Sequence, residues 1–233
     1  QTNKFPLHSF VRFEELTMQA IQAVIFDFGG VFTSSPVEEF AKFEQAHNLP
    51  EKFLGGVIKT NHDHNAWAKF ERAEMTQGEF DKAFAAETAA AGHEVSGDTL
   101  LSLLSLSLKP VMIDALASVK KAGLKTGCIT NNLPNLDSKA MLGDSADADT
   151  ANAIFGQFDH VIESSKAGLR KPEPRIYEMM CEALALEPSQ CVFLDDLGIN
   201  LKPAKAMGMH TIKVPFGDVS PAVDELFALL KLN

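Results

Sequence analysis

Five polar residues with chemically useful side chains each follow a short apolar stretch of the sequence. They are Asp27, Thr130, Asn131, Asp195 and Asp196. Carboxylate oxygens are hard ligands of the kind that Mg²⁺ prefers, and a hydroxyl with exposed amide N–H groups can hold phosphate oxygens. If the apolar stretches are neighbouring strands, these residues form a site for a metal ion and a phosphate group.

A phosphate site also requires a positive charge, and Lys171 is the candidate because Arg170 and Pro172 restrain it on either side. Each residue also has an ordinary structural interpretation. Thr130 can simply end a strand, the Asp195–Asp196 pair can cap the next helix, and Lys171 can lie on the solvated surface as most lysines do. The full set in this order favours a phosphate site over these separate explanations.

The apolar run Ala23–Phe26 precedes Asp27 and favours a buried parallel strand, because Val, Ile and Phe stand next to one another with no polar residue that would face solvent. In open α/β folds, ligands bind at the carboxyl edge of the sheet, where such a strand delivers Asp27. Gly29 and Gly30 then permit a sharp turn and a close approach to a ligand. A turn-capping role for Asp27 is the competing interpretation.

Strand and helix patterns alternate after residue 109, which predicts a parallel sheet with helices on both faces. We predict strands over residues 124–129, 158–162, 191–194 and 210–214, and helices over 111–121, 172–186 and 221–230 with another ending at 207. Residues 133–153 are polar and acidic, and we predict a mobile excursion there with a short helix.

Helix signals alone occur over residues 34–108. Capping boxes are predicted at Ser35 with Glu38 and at Thr76 with Glu79. A further helix start is predicted at Ser96–Asp98, before the leucine-rich segment 100–108.

The predicted fold is therefore α/β, a doubly wound (Rossmann-like) parallel sheet core with an inserted all-α helical cap. Its predicted parts are an N-terminal extension over residues 1–20, an α/β core domain over residues 21–33 and 109–233, and a helical cap domain over residues 34–108.

The chain has 233 residues and a formal net charge of −10, which argues against wide nucleic-acid contact because no basic stripe can neutralise phosphates. No stretch has the length and apolarity of a membrane span. Three scattered cysteines without a CxxC spacing predict reduced thiols in a cytoplasmic (intracellular) protein. The expected partner is a small phosphorylated substrate, and an oligomer formed through the cap stays open.

Four parts of the sequence resemble the motifs of haloacid dehalogenase (HAD) superfamily hydrolases. They are Asp27–Val31, Thr130–Asn131, Phe158–Ser164 with Gly168–Tyr177, and Phe193–Asn200. Within the superfamily, the chain is most similar to the N-terminal phosphatase domain of soluble epoxide hydrolases and to the related domain attached to some acyl-CoA dehydrogenases. Residues 66–72 and 201–204 are local features of that subgroup, and the resemblance covers about residues 20–230.

The resemblance implies a Mg²⁺-dependent phosphatase that forms an aspartyl-phosphate intermediate, with Asp27 as the nucleophile. Lys171 and the metal would offset charge on the phosphoryl oxygens, while Thr130 and the Asn131 amide position them. The helical cap would exclude water and select the leaving group.

The resemblance also implies a set of metal ligands. They are the Asp27 carboxylate, the backbone carbonyl of Gly29, and Asp196, with Asp195 as a supporting or alternate ligand. Asn200, four residues after Asp196, would order the metal site.

Gly29 departs from the family pattern, which usually has a second aspartate two residues after the nucleophile. That aspartate protonates the leaving group and activates water, and such general acid–base help is worth about 10²–10⁴ in rate. Two alternatives therefore stay open: a non-catalytic or weakly active module that binds phosphometabolites or a protein, and a dehalogenase that cleaves a carbon–halogen bond. The paired Asp195–Asp196 and the Lys-Pro-Glu-Pro context favour the phosphatase.

The cluster His62–His64 contains a His-x-His spacing found in some metal sites. We favour an ordinary cap loop, with Asp63 near a helix start. If the cap closes over the core, this loop would reach the substrate. Trp67 and His210 are predicted to be structural.

Overall fold

The computed structural model describes residues 20–104, 107–133 and 146–232. Its centre is a sheet of five parallel strands in the order β3-β2-β1-β4-β5. The strands are β1 (Ala23–Phe26), β2 (Lys125–Thr130), β3 (His160–Glu163), β4 (Cys191–Asp195) and β5 (His210–Lys213). The parallel sheet that the sequence predicts is confirmed.

β1 lies at the centre of the sheet, and all four of its residues are fully buried. Phe26 pairs with Cys128 of β2 on one side and with Leu194 of β4 on the other. Because side chains alternate along a strand, Val24 and Phe26 pack into one hydrophobic cluster and the other two residues into a second. The all-apolar composition of β1 thus reflects burial on both faces, and its end delivers Asp27 to the carboxyl edge.

Helices form an insertion after β1 and cover both faces of the sheet. The insertion contains α1 (Pro36–Ala46), α2 (Phe53–Lys59), α3 (Ala66–Glu71), α4 (Gln77–Ala90) and α5 (Gly97–Ser102). The later helices are α6 (Pro110–Lys121), α7 (Ala146–Phe155), α8 (Ser164–Ala167), α9 (Pro174–Leu184), α10 (Gly198–Ala206) and α11 (Ser220–Leu230), with a short 3-10 helix at Pro188–Gln190. The predicted helical insertion is therefore confirmed.

The inserted helices pack around a hydrophobic cluster of their own. Phe70 stacks on Phe80 with ring centroids 4.5 Å apart, and Phe84 lies 5.5 Å from Phe80. Trp67 packs edge-on against Phe80, in keeping with its structural interpretation. Helices as short as α3 depend on such burial, because isolated helices of this length are unstable in water. The domain boundaries at residues 34 and 108 stay a prediction.

The predicted helix starts differ in how their caps form. Thr76 and Glu79 make the expected capping box at α4, and Ser96 caps α5. Ser35 precedes α1 as expected, but its hydroxyl donates to Asp196 instead of accepting from a backbone N–H of the helix. The predicted capping box at Ser35 is therefore wrong.

Other boundaries shift by a few residues. α9 is two residues shorter at each end than predicted, and α5 ends at Ser102 instead of continuing through the leucine-rich segment. α7 occupies part of the predicted excursion, whereas residues 134–145 and most of the predicted N-terminal extension lie outside the described residues. In the part of the chain that the structure describes, every helix is too short or too polar to cross a membrane.

Candidate active site

Three carboxylates meet at the carboxyl edge of the sheet. Asp27 directly follows β1, and its backbone N–H donates to the Leu194 carbonyl of β4 at 2.8 Å. Asp195 ends β4, and Asp196 follows it. One carboxylate oxygen from each residue lies within 4.8 Å of the other two, and all three residues are buried. Among the described residues, this is the only group of three or more Asp, Glu, His or Cys side chains that could share a metal ion.

Lys171 lies among these carboxylates and is 1% exposed. Its Nζ is 2.7 Å from Oδ1 of Asp27 and 2.9 Å from Oδ2 of Asp195. Burying a lysine ammonium costs several kcal/mol unless carboxylates compensate for the lost water. The interpretation of Lys171 as a solvated surface residue is therefore wrong, and the predicted cation lies beside the predicted nucleophile.

The groups in this cluster shift one another's pKa values. Burial raises the pKa of Asp27 well above its usual value, Lys171 opposes the rise, and Asp195 and Asp196 add to it. Burial and the Asp195 charge raise the pKa of Asp196 to about 6, against the opposing charges of Lys171 and Lys213. Burial favours the neutral form of Lys171, but Asp195 and Asp27 outweigh it and raise the pKa of the ammonium.

The donor set fits a divalent cation. The carboxylates of Asp27, Asp195 and Asp196 outnumber the single ammonium of Lys171, so two negative charges are uncompensated within this group of four. Closely spaced carboxylate oxygens are the ligands of choice for Mg²⁺, which also keeps water or substrate oxygens in its coordination sphere. A bound magnesium ion would neutralise the excess charge.

Asp195 has most of its acceptor capacity occupied by protein donors. Oδ1 accepts from the Leu197 N–H at 2.7 Å, and Nδ2 of Asn200 lies 3.1 Å and 3.0 Å from the two carboxylate oxygens. The Tyr177 hydroxyl donates to the Asn200 carbonyl at 2.7 Å, which anchors that residue in turn. With Lys171 on Oδ2, Asp195 is arranged to orient the lysine.

The side chain of Asn131 contacts the backbone of Lys171, and the phosphate contact predicted for the Asn131 amide stays a prediction. Its Nδ2 donates to the Lys171 carbonyl at 2.9 Å, and its Oδ1 accepts from the Lys171 N–H at 2.8 Å. The side-chain amide therefore holds the backbone of Lys171 by two hydrogen bonds. Thr130 is buried at the end of β2, next to β1, which places it at the same edge as Asp27.

The two glycines after Asp27 have different surroundings. Gly30 has a left-handed φ of 74°, and a Cβ added to it would lie 2.2 Å from Oδ2 of Asp196. Only glycine lets the turn pass this close to that carboxylate. An added Cβ at Gly29 would meet no atom within 4 Å outside its chain neighbours, and its φ lies outside the left-handed region. Position 29 therefore has room for a Cβ atom.

Sequence reasoning misses three side chains at this edge. The Ser35 hydroxyl donates to Oδ2 of Asp196 at 3.4 Å, Lys213 donates to the Asp196 carbonyl, and Nζ of Lys109 donates to the Gly30 carbonyl at 3.1 Å. Ser35 has a recognisable signal only as a helix cap. The two lysines carry no motif, because each reaches the site from an element remote in sequence.

The inserted helices meet the core beside Lys171. Nε of Arg170 lies 2.6 Å from Oε2 of Glu71 at the end of α3, and the two side chains are only 11% and 6% exposed. Arg170 also donates to the His62 carbonyl at 2.9 Å, and the Ser164 hydroxyl donates to the Glu71 carbonyl at 2.8 Å. The loop that carries His62 thus borders the site through its backbone, while its imidazole pairs with Asp63 at 3.3 Å.

The family model for haloacid dehalogenase-like hydrolases matches residues 21–208. The chain is 35% identical to acyl-CoA dehydrogenase family member 10 of Mus musculus over 217 residues, which are 91% of this chain and 19% of that protein. It is 34% identical to bifunctional epoxide hydrolase 2 of Sus scrofa over 219 residues, 89% of this chain and 38% of that protein. The chain thus spans less than half the length of these relatives.

A solved structure shares the fold. The HAD family enzyme of Bacteroides thetaiotaomicron, crystallised with magnesium and inorganic phosphate, superposes with a TM-score of 0.58 at 20% identity, covering 85% of this chain and 96% of that one. This likeness supports the fold, and the resemblance to HAD hydrolases that the sequence motifs predict is confirmed by the family match.

Proposed function

Because the chain belongs to the haloacid dehalogenase-like hydrolase family, we propose that it hydrolyses a small phosphate monoester with Mg²⁺ through an aspartyl-phosphate intermediate. The observation that carries the proposal is the group of three buried carboxylates, Asp27, Asp195 and Asp196, with Lys171 in contact with two of them. Transfer of a charged phosphoryl group needs this concentration of metal ligands and cation.

Asp27 is the nucleophile in this proposal. Its carboxylate attacks phosphorus, the bond from phosphorus to the ester oxygen breaks, and the leaving oxygen takes its proton from water to form the alcohol. Water then attacks phosphorus, releases inorganic phosphate and regenerates Asp27. Oδ1 of Asp27 accepts from the Phe28 N–H at 2.6 Å and pairs with Lys171 at 2.7 Å, so the carboxylate is fixed in orientation before substrate arrives.

The remaining residues bind and orient the phosphoryl group. The Lys171 ammonium stabilises its charge, the Thr130 hydroxyl and the Asn131 backbone N–H position its oxygens, and Asn131 keeps Lys171 in place through the two side-chain bonds. Magnesium, held by the Asp27 and Asp196 carboxylates and the Gly29 carbonyl, would supply further charge neutralisation. Asp195 and Asn200 support the site by orienting Lys171.

Gly29 limits the rate that we expect for this reaction. It has no side chain to protonate the leaving group or to activate water, and such help contributes about 10²–10⁴ in rate. We therefore expect slow turnover that favours good leaving groups. The same residue favours one alternative function, a phosphate-binding module that does not turn over.

The test compares the wild type with Asp27→Asn, which preserves the shape of the side chain but removes the nucleophilic carboxylate. Release of p-nitrophenol from p-nitrophenyl phosphate is measured with Mg²⁺ and with EDTA. We expect Mg²⁺-dependent release by the wild type and none by Asp27→Asn, with unchanged circular dichroism.

Other outcomes favour other functions. Full activity of Asp27→Asn would exclude Asp27 as the nucleophile. A wild type that binds inorganic phosphate but hydrolyses no member of a panel of lipid, sugar and aryl phosphates would be a binding module. Metal-independent halide release from a haloacid such as chloropropionate would support the dehalogenase.

A further inference from the structure

Two aromatic rings lie next to the Lys171 side chain on one face of the sheet. Phe193 is the third residue of β4, and Tyr177 lies in α9. Both side chains are fully buried, in the hydrophobic cluster that joins α9 to this face. The phosphate chemistry proposed above makes no use of either ring.

The ring of Phe193 contacts the Lys171 ammonium. Residues two apart on a strand face the same side, so Phe193 shares a face of β4 with Asp195, which pairs with Lys171. Nζ of Lys171 lies over the Phe193 ring, 5.7 Å from its centroid. A cation at this distance is attracted by the electron density on the face of the ring. The ammonium is therefore held by Asp27, Asp195 and the ring together.

Tyr177 contacts two of the groups that support Lys171. Its ring meets that of Phe193 edge-on, with centroids 5.5 Å apart and planes at 82°, an arrangement that aromatic pairs favour. Its hydroxyl donates to the Asn200 carbonyl at 2.7 Å, and Nδ2 of Asn200 donates to the Asp195 carboxylate at 3.0 Å and 3.1 Å. One side chain thus fixes both the ring and the carboxylate that the ammonium contacts.

Burial strengthens these contacts. The attraction between a cation and a ring is stronger away from water, and Lys171 and Phe193 are both buried. Burial also raises the pKa of the Tyr177 hydroxyl, so this group keeps its proton and remains a donor to Asn200.

We propose that Phe193 and Tyr177 are positioning residues of the candidate active site, which hold the Lys171 ammonium where it meets the phosphoryl group. The proposal rests on the proposed function, in which Lys171 stabilises the charge of that group. Phe193 acts directly on the ammonium, and Tyr177 acts through Phe193 and Asn200.

Phe158 supplies an internal comparison, because it is a buried phenylalanine in the hydrophobic cluster on the other face of the sheet. It precedes β3, at the edge of the sheet opposite the candidate active site. Its ring packs against those of Phe26 and Phe32, with centroids 6.1 Å and 5.8 Å away. Phe158→Leu therefore makes the same chemical change as Phe193→Leu at a place remote from Lys171.

Two variants test the proposal. Phe193→Leu removes the ring, and Tyr177→Phe removes only the hydroxyl and keeps the edge-on contact. We expect the Kd of inorganic phosphate, measured by calorimetric titration in Mg²⁺, to rise about 2- to 30-fold in Phe193→Leu and about 2- to 10-fold in Tyr177→Phe. The kcat/KM for p-nitrophenyl phosphate should fall by the same factors. Phe158→Leu should lose stability in urea but keep the wild-type Kd and kcat/KM.

A second measurement follows Lys171 without substrate or metal. Acetic anhydride modifies lysine amines, and mass spectrometry of the digested full chain gives the rate at each lysine. Lys171 should be modified slowly in the wild type and faster in Phe193→Leu and Tyr177→Phe, relative to the exposed Lys52. Phe158→Leu controls for modification that occurs through unfolding.

The two measurements distinguish failure of this proposal from failure of the proposed function. A wild type that neither binds nor hydrolyses phosphate would overturn the proposed function, and the rate at Lys171 would still show whether the two rings hold the ammonium. The positioning proposal is overturned if Lys171 is modified no faster in Phe193→Leu and Tyr177→Phe than in Phe158→Leu. It is also overturned if these two variants bind phosphate as tightly as a wild type that binds it.

Discussion

At the scale of single residues, Gly29 offers a direct test of the proposed chemistry. A Cβ atom at position 29 would meet open space, and the φ of Gly29 lies outside the left-handed region. We expect Gly29→Asp to raise the Mg²⁺-dependent turnover of phosphate monoesters, by up to about 10²–10⁴, because it supplies a proton donor and a base for water. The gain should be larger for alkyl phosphates than for aryl phosphates, whose alcohols leave without help. Steady-state kcat for both substrate classes measures it.

Gly29→Asn is the control for that variant, since it has nearly the same volume and no acidic proton. It should leave turnover at the wild-type level. Equal gains in the two variants would show that space filling, and not proton transfer, limits the wild type.

Gly30 leads to the opposite expectation. A Cβ at this position would overlap Oδ2 of Asp196, and the φ of 74° is strained for any other residue. We expect Gly30→Ala to reduce the free energy of unfolding by about 1–3 kcal/mol and to weaken Mg²⁺ binding by displacing Asp196. Urea denaturation and calorimetric titration with Mg²⁺ measure the two effects.

The matched control is Gly29→Ala, one residue earlier in the same turn. It meets open space and needs no left-handed φ, so its stability should equal or slightly exceed that of the wild type. A similar loss in both alanine variants would contradict the role assigned to the Gly30–Asp196 contact.

A site residue can be predicted from the sequence when its residue type and local sequence suggest its role, and cannot when that role depends on a contact with a remote residue. Asp27 and Lys171 could be predicted to lie in one site only because they occur in one order with Thr130, Asn131, Asp195 and Asp196, since each residue alone has an ordinary structural explanation. The second hydrogen-bonding role of Asn131, holding the Lys171 backbone, depends on a contact across 40 residues that no local pattern encodes.

At the scale of elements, the contact between α3 and the core rests on the buried ion pair of Glu71 and Arg170. Burial raises the pKa of Glu71, and Arg170 opposes the rise. Removal of one partner leaves the other charge buried without compensation, so we expect Glu71→Gln to reduce the free energy of unfolding by about 3–5 kcal/mol. Urea denaturation followed by far-ultraviolet circular dichroism measures the loss.

Arg175 and Glu182 provide a comparison pair on α9. Their closest N–O distance is also 2.6 Å, but both side chains are at least half exposed. Glu182→Gln should therefore change stability very little, because solvent screens an exposed pair. Equal losses in the two variants would mean that burial does not determine the strength of these pairs.

Elements were predictable where their signals are local. The capping box at Thr76 and the helix that begins at Pro110 follow from residues within one turn. Ser35 shows where local signals are insufficient. It has the right type and position for a helix cap, but its hydroxyl donates a hydrogen bond to Asp196 instead. Local rules describe what a side chain can bind, and the tertiary fold selects among the available partners.

At the scale of the whole molecule, the alternation of strand and helix signals was enough to predict a doubly wound sheet, because few connections join parallel strands. The sequence does not predict the strand order β3-β2-β1-β4-β5 or the contact of the helical insertion with Arg170, because both depend on packing between segments remote in sequence. The convergence of Asp27, Asp195 and Asp196 follows directly from that order, since β1 and β4 are neighbours.

This convergence makes the stability of the metal-free protein depend on pH. Asp196 has a folded-state pKa of about 6, above its ordinary value of 3.8, and burial raises the pKa of Asp27 and Glu71 in the same direction. Between pH 4 and 6, these three groups therefore bind more protons in the folded state than in the unfolded state. Their contribution to the free energy of unfolding falls as pH rises through this window, by at most about 1.4 kcal/mol per pH unit for each proton. Exposed carboxylates with lowered pKa values, such as Glu79 and Asp218, contribute with the opposite sign.

Lys171 does not change how the free energy of unfolding depends on pH between pH 4 and 6. Its folded-state pKa is raised, so its stabilising contribution is complete below the unfolded value of 10.5 and is constant across the window. The measurement is urea denaturation in EDTA at a series of pH values.

Asp196→Asn should make the free energy of unfolding depend less steeply on pH, because it removes a carboxylate whose ionised form destabilises the folded state. Mg²⁺ added above pH 6 should restore the stability of the wild type by compensating the ionised carboxylates. An equal pH slope in the metal-free wild type and in Asp196→Asn would contradict the idea that the carboxylates of Asp27, Asp195 and Asp196 are held together at a cost that a cation offsets.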